Sequence, residues 1–169
     1  GFLDRNGVLG GERTSGAVQR RAERDAFFGQ LHVLREGGNA LDAALAAVAV
    51  QCVVEPASTG IGGDCFCLYA PAGADEVIAI NGSGRAPLEI SADWLLERGV
   101  AKIQQQSAHA VTVPTAVDAW VQLNRDHGSM PLDQLLKPAI GYAQDGFPVG
   151  QRSAFDFAGC LELLQGDED

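Results

Sequence analysis

The sequence predicts an α/β protein made of several helices and a short strand hairpin. Residues 43–54 are apolar on nearly every side, which is typical of a helix at the centre of a protein. Residues 65–70 and 77–80 are short apolar runs separated by a turn-forming segment, which indicates a hairpin of two buried strands. Apolar residues then recur at helical spacing in the second half of the chain. Because a lone hairpin is too small a sheet to be stable, we expect the layered α/β arrangement to be completed elsewhere.

The first half of the chain carries clear helix boundaries. A first helix is predicted over residues 28–36 and ends at the two glycines that follow. Asn39 is a favourable N-cap for the apolar helix, and Asp42 stands three residues later, at the position of the acid in a capping box. Residues 1–26 are rich in glycine and charge, and we interpret them as a solvated lead-in to a single domain over residues 27–169.

The second half is predicted to be mainly helical. Ser91 is a plausible cap for a short helix over residues 92–97. Pro114 suits the first turn of a helix whose apolar residues share one face, namely Ala116, Trp120 and Leu123. A further apolar face over residues 132–143 is interrupted by Pro138, which predicts two short helices or a kink. A last helix is expected over residues 152–164.

Charge and hydropathy exclude several classes of protein and partner. The chain has 46% hydrophobic residues, which is too many for an intrinsically disordered tail. Its 12 Lys and Arg against 22 Asp and Glu give a net charge of -10, so we expect no nucleic-acid partner. The longest apolar stretch falls short of the roughly 20 residues of a spanning helix, so we expect no membrane partner. No signal peptide is recognisable, which together with free thiols favours the cytoplasm.

Two glycine-containing loops flank the predicted hairpin, and both are candidates for ligand binding. The loop before it holds Thr59, Gly60, Ile61, Gly62 and Gly63. Its backbone N–H groups suit an anion, and a tight turn at a packed helix–strand junction is the alternative.

The second loop, over residues 81–87, carries Ser83 and Arg85 beyond the second strand, a usual place for substrate-binding groups. An arginine there can hold a carboxylate through two parallel hydrogen bonds, whereas an exposed arginine that only solvates the turn is the alternative.

The sequence indicates neither a metal site nor a cofactor. The histidines lie on unrelated elements, at no metal-ligand spacing from one another: His32, His109 and His127. The four cysteines lack the spacing of zinc or redox motifs, and we expect buried free thiols at Cys52, Cys65, Cys67 and Cys160. Since Cys65 and Cys67 are two residues apart in a strand, their thiols should share one face.

Five short motifs occur in a fixed order along the chain: Gly37-Gly38-Asn39-Ala40-Leu41-Asp42-Ala43-Ala44, Glu55-Pro56, Gly60-Ile61-Gly62-Gly63, Val113-Pro114 and Gly146-Phe147-Pro148-Val149. In order and spacing they resemble the N-terminal part of the large subunit of the gamma-glutamyltranspeptidase family, from about residue 31 to about residue 149. The resemblance implies an N-terminal-nucleophile hydrolase with an αββα sandwich, made as a precursor that cuts itself into a large and a small subunit. This chain would then hold an incomplete αββα sandwich.

The resemblance also implies the chemistry. In the family, the threonine that begins the small subunit attacks the amide, its own amine serves as the base, and the acyl group passes to water or to an acceptor amine. No threonine of this chain lies in such a motif, so we predict no catalytic residue among Thr14, Thr59, Thr112 and Thr115. The chain alone is expected to be inactive. Its implied partners are the small subunit of the same precursor and a gamma-glutamyl or related amide substrate.

Substrate binding is expected at the loop over residues 81–87. The best-known members of the family hold the glutamyl carboxylate with an arginine after the strand that corresponds to residues 77–80. Ungapped matching places Ser83 at that position and Arg85 two residues later, and both are predicted to bind substrate. The loop looks more like that of related acylases and amidohydrolases, including oxamate-amidohydrolase-like proteins. Two alternatives therefore stand beside a gamma-glutamyltransferase-like enzyme: an amidohydrolase or acylase of different acyl specificity, and a binding module without catalysis.

Overall fold

We describe the protein from a computed structural model, which describes residues 15–104 and 107–165, with side chains for residues 25–104 and 107–161. These residues form two compact units. The first unit contains the residues up to Gly60 together with those from His127 onward, and the second unit is Ile61–Asp126. In chain order the described elements are α1 (Ser15–Arg35), α2 (Ala40–Val54), β1 (Cys65–Tyr69), β2 (Ile78–Gly82), α3 (Ala92–Glu97), a short 3-10 helix (Ala108–Ala110), α4 (Ala116–His127), α5 (Leu132–Asp145) and α6 (Gln151–Gln165).

Helix α2 forms the centre of the first unit, as its apolar composition predicts. Helices α1 and α5 both pack against it, and the core contains fully buried side chains from all three helices: Val33, Val50 and Leu135. Gly29 of α1 permits the close approach of α1 to α2, because an ideal Cβ there would lie 3.2 Å from Cγ2 of Val50.

The N-terminus of α2 is held by the predicted capping box and by a contact that is distant in sequence. Asn39 Oδ1 accepts the Asp42 N–H at 2.9 Å, and Asp42 Oδ2 accepts the Asn39 N–H at 2.9 Å. Ser129, which is 87 residues away, donates its backbone N–H and its hydroxyl to the same carboxylate. The carboxylate of Asp42 therefore joins the start of α2 to the turn that precedes α5.

Strands β1 and β2 form the predicted antiparallel hairpin in the second unit. Cys65 lies opposite Gly82, and Tyr69 lies opposite Ile78. The end of β2 approaches α4 closely, because an ideal Cβ at Gly82 would lie 2.8 Å from the Cβ of Ala119.

One face of the hairpin is open to solvent. Phe66 is 68% exposed and Leu68 is 79% exposed. The prediction of two buried strands is therefore wrong, because one face of each strand is exposed and the other face is only half-buried. Mixed helices with one small antiparallel hairpin agree with the predicted class, an incomplete α/β sandwich.

Two of the predicted helices in the second unit are confirmed. Helix α3 begins after Ser91, whose hydroxyl accepts the Trp94 N–H at 3.1 Å. Helix α4 begins two residues after Pro114 and buries Ala116, Trp120 and Leu123 on one face.

Helices of the first unit differ from the prediction in their extent. Helix α1 begins at Ser15 rather than at residue 28, since residues 17–26 are rich in good helix formers such as Ala, Arg, Gln and Glu. Helix α5 runs without interruption through Pro138, although two short helices or a kink were expected. Burial of Leu135 and Ala139 on the helix face that packs against α2 offsets the hydrogen bond lost at the proline. Helix α6 occupies nearly the predicted residues.

The division into a lead-in at residues 1–26 and a domain over residues 27–169 stays a prediction, and residues 1–14 lie outside the described part. Among the helices described, none combines the length and the apolarity needed to cross a bilayer.

Candidate functional site

The two predicted substrate-binding residues, Ser83 and Arg85, lie just beyond the end of β2. Over residues 78–85, half-buried and exposed positions alternate strictly. This alternation is the pattern of an extended chain, in which successive side chains point to opposite faces. Ser83 and Arg85 both belong to the exposed set. The structure therefore brings the two side chains to the same side of the loop.

Gly84 separates these two residues and faces the opposite way. An ideal Cβ at Gly84 would lie 2.1 Å from the carbonyl oxygen of Val113 and 2.5 Å from Oγ1 of Thr112. Only a glycine permits this close approach of two backbone segments. The loop is thus seated against residues 112 and 113.

Three hydrogen bonds from two segments of the second unit, one at Asp64 and one at residues 113–115, fix the backbone of this loop. Thr115 Oγ1 donates to the carbonyl of Gly82, Oδ1 of Asp64 accepts the N–H of Gly84 at 2.9 Å, and the N–H of Val113 donates to the carbonyl of Arg85 at 3.0 Å. The backbone is therefore ordered before any ligand arrives, so binding does not have to order it.

Arg85 and Ser83 present complementary polar groups on this fixed backbone. Within the described part of the chain, no side chain forms an ion pair or a hydrogen bond with the guanidinium of Arg85. An exposed guanidinium can bind a carboxylate through two parallel N–H···O bonds. The hydroxyl of Ser83 can donate or accept, while its backbone N–H donates to Oδ1 of Asn81 at 3.0 Å. The arrangement suits a substrate that carries an anionic or strongly polar oxygen.

The glycine loop before β1 is tied to the start of α4. The carbonyl of Gly63 accepts the N–H of Ala116 at 3.0 Å and that of Thr115 at 3.3 Å. An ideal Cβ at Gly60, Gly62 or Gly63 would meet no atom within 4 Å, and none of the three has a positive φ. Within the described residues, neither crowding at the Cβ position nor a positive φ therefore requires glycine at these three positions. An anion-binding role for the loop stays a prediction.

The cysteines are free thiols in the structure, but they are less buried than predicted. Cys52, Cys65 and Cys67 are half-buried, and Cys160 is exposed. Cys65 and Cys67 share the half-buried face of β1, as their spacing predicts. Burial raises the pKa of the Cys67 thiol, and the neighbouring Cys65 raises it further. Burial is incomplete because the strand face that carries Cys65 and Cys67 is only half-buried, and because Cys160 lies on α6, where most of the described side chains are exposed.

The described residues do not form a candidate metal site. No cluster of three or more His, Cys, Asp or Glu side chains there is arranged to hold a metal ion. His109 instead contacts the ring of Trp94 edge-on, with 5.8 Å between the ring centroids.

Sequence reasoning missed two residues that shape the site. The sequence pattern assigns Thr115 no role, whereas its hydroxyl donates to the carbonyl of Gly82. Asp64 lies between a glycine loop and an apolar strand, and a charged residue in such a place is a signal for a side chain with a specific partner. That partner, the N–H of Gly84, is 20 residues away.

The loop, the hairpin and α4 all lie in a segment that a family comparison identifies. The sequence profile of the gamma-glutamyltranspeptidase family matches residues 30–168. The chain belongs to this family. The resemblance drawn from the five motifs is thereby confirmed, and Ser83 and Arg85 both fall within the matched residues.

Relatives within the gamma-glutamyltranspeptidase family carry several different activities in their names. The chain is 41% identical over 132 residues to the glutathione hydrolase-like YwrD proenzyme of Bacillus subtilis (strain 168), an alignment covering 78% of this chain and 25% of that protein. It is 40% identical over 141 residues to the oxamate amidohydrolase proenzyme of Klebsiella pneumoniae subsp. pneumoniae, covering 80% of this chain and 26% of that protein. The crystal structure of cephalosporin acylase from Bacillus halodurans superposes with a TM-score of 0.78 at 35% identity, covering 85% of this chain and 27% of the acylase chain.

The chain thus spans about a quarter of the length of these relatives. Its helices and hairpin form part of the N-terminal-nucleophile hydrolase fold, and the family is one of hydrolases and transferases.

Proposed function

We propose that this chain supplies the substrate-binding loop of an enzyme that cleaves or transfers a gamma-glutamyl or related acyl group. The observation that carries the proposal is the loop over residues 81–85, which presents Arg85 and Ser83 on one exposed side of a fixed backbone. The nucleophile is the N-terminal threonine of the small subunit of the same precursor, and that subunit is the chain's partner.

In the proposed reaction, the guanidinium of Arg85 binds a carboxylate of the acyl group through two parallel hydrogen bonds. The threonine hydroxyl attacks the amide carbonyl, its proton passes to the threonine amine, and that amine then protonates the leaving nitrogen. Water or an acceptor amine next attacks the ester, which releases the acyl group and restores the hydroxyl. Arg85 and Ser83 fix the acyl group relative to the nucleophile, and such orientation is a major source of rate enhancement.

A second candidate function is the hydrolysis of a smaller acyl amide. Two points support it: ungapped matching to the best-known members puts Ser83 in line with their carboxylate-binding arginine, and one relative at 40% identity is named oxamate amidohydrolase. Arg85 lies two residues further along the loop. From there it can bind a carboxylate whose distance from the scissile bond differs from that of a glutamyl carboxylate. A short acyl group and a glutamyl group place that carboxylate differently.

Kinetics on the full reading frame that contains this chain test the proposal. We expect the purified, self-cleaved protein to release product from a gamma-glutamyl anilide or ammonia from oxamate, and the substrate with the higher kcat/KM identifies the acyl class. The 169-residue chain alone serves as the control and is expected to show no turnover, since the nucleophile lies outside it. Turnover of neither substrate class by the self-cleaved protein would refute the proposed function.

A further inference from the structure

The side chain of Asp64 forms a hydrogen bond across the open end of the hairpin, and the reaction proposed above assigns this bond no role. Cys65 pairs with Gly82 at the last position of the ladder, so Asp64 stands one residue before β1 and Gly84 two residues after the last pair. Here the side chain of Asp64, rather than a strand carbonyl, accepts the N–H of Gly84 at 2.9 Å. The carbonyl of Gly63 is directed to the start of α4 instead.

The link acts on the residue between the two substrate-binding side chains. Gly84 cannot move towards residues 112 and 113, because it is already too close to them to accommodate a Cβ. It can move away from them, towards the exposed side that carries Ser83 and Arg85. The hydrogen bond to Asp64 and the bond between the Val113 N–H and the Arg85 carbonyl are the contacts that oppose this movement at residues 84 and 85.

We propose that Asp64 is a positioning residue that sets the direction of the Arg85 and Ser83 side chains by holding the N–H of Gly84. The proposal rests on the function proposed above and adds a residue to it. Asp64 is exposed and the loop keeps its anchors at Thr115 and Val113. Loss of the link therefore changes substrate affinity far more than it changes the stability of the protein.

Two substitutions separate the position of the acceptor atom from the charge of Asp64. Asp64→Asn removes the charge and keeps an oxygen acceptor at the same place. Asp64→Glu keeps the charge and moves the acceptor outward by one methylene. If position is what matters, Asp64→Asn retains a KM near that of the wild type, whereas Asp64→Glu and Asp64→Ala raise KM by about tenfold because the displaced guanidinium binds the carboxylate less well. The exposed Asp75, in the turn of the hairpin, provides a matched control as Asp75→Ala, which should leave KM unchanged.

The experiment measures kcat, KM and the melting temperature of the full-length, self-cleaved protein on its better substrate. A double substitution with Arg85→Ala tests whether Asp64 acts on substrate binding through Arg85. Asp64→Glu should then raise KM little beyond the value of Arg85→Ala alone, because both changes act on the same contact. An unchanged KM in Asp64→Glu, effects that multiply in the double variant, or a raised KM in Asp64→Asn but not in Asp64→Glu would each overturn the proposal. Activity of the wild type is measured first, so that absence of any turnover counts against the proposed function alone.

Discussion

Asp42 is the residue whose replacement should most clearly destabilise the first unit. Its side chain is fully buried, with 0% of the residue exposed, and it carries a carboxylate at the N-terminus of the central helix. Replacement by alanine removes the acceptor for three donors: the N–H of Asn39, and the N–H and hydroxyl of Ser129.

The size of the effect follows from what those donors can do afterwards. A hydrogen bond to a charged group contributes about 1.5–3 kcal/mol. The hydroxyl of Ser129 belongs to an exposed residue and can turn to water, and the N–H of Asn39 keeps a 3.2 Å contact with that hydroxyl. The N–H of Ser129 is the donor that loses its partner outright. Because alanine also avoids burying a charge, we expect Asp42→Ala to lower the free energy of unfolding by about 2–4 kcal/mol rather than by the sum of three bonds.

Urea-induced unfolding, followed by far-ultraviolet circular dichroism, measures this loss. The matched control is Asp133→Ala, which removes an exposed acid from the first turn of α5 and should reduce the free energy of unfolding by about 0.3–1 kcal/mol. In parallel, amide hydrogen exchange should accelerate at Asn39 and Ser129 in Asp42→Ala. If Asp42→Ala loses no more stability than the control, the buried carboxylate does not join the start of α2 to the turn before α5 in the way described.

Three further predictions concern the loop and the thiols. Arg85→Ala should weaken substrate binding by about 1.5–3 kcal/mol, or roughly 10- to 150-fold in KM, whereas Arg85→Lys should recover part of it; an unchanged KM would place the carboxylate contact elsewhere. Gly84→Ala should destabilise the protein by about 1–3 kcal/mol and raise KM, because its Cβ would overlap the carbonyl of Val113, and melting curves with kinetics would show whether it does. Iodoacetamide should modify the exposed Cys160 well before Cys67, because the raised pKa of the Cys67 thiol shifts its reaction to more alkaline pH. Peptide mass spectrometry over a pH series measures both rates of modification, and equal rates would contradict the described burial of Cys67.

Local interactions made much of the fold predictable from the sequence. The capping box of Asn39 and Asp42 and the cap at Ser91 involve residues three positions apart, so their residue types alone specify them. The apolar surface of α2 predicted its central place, since a helix without a polar face has to be buried. The position of Ser83 and Arg85 after a strand also followed from the sequence, and so did the family.

The tertiary structure decided what depends on contacts between distant segments. The bond between Ser129 and Asp42 spans 87 residues, and the bond between Gly84 and Asp64 spans 20, so no local pattern reveals either. Helix α5 continues through Pro138 because packing outweighs the local preference. The open face of the hairpin was likewise not predictable from the sequence. Phe66 and Leu68 are exposed, although both side chains are as apolar as those of buried strand residues. The apolar composition of a segment shows how favourable its burial would be. Whether other segments pack over it and bury it depends on the fold of the whole chain.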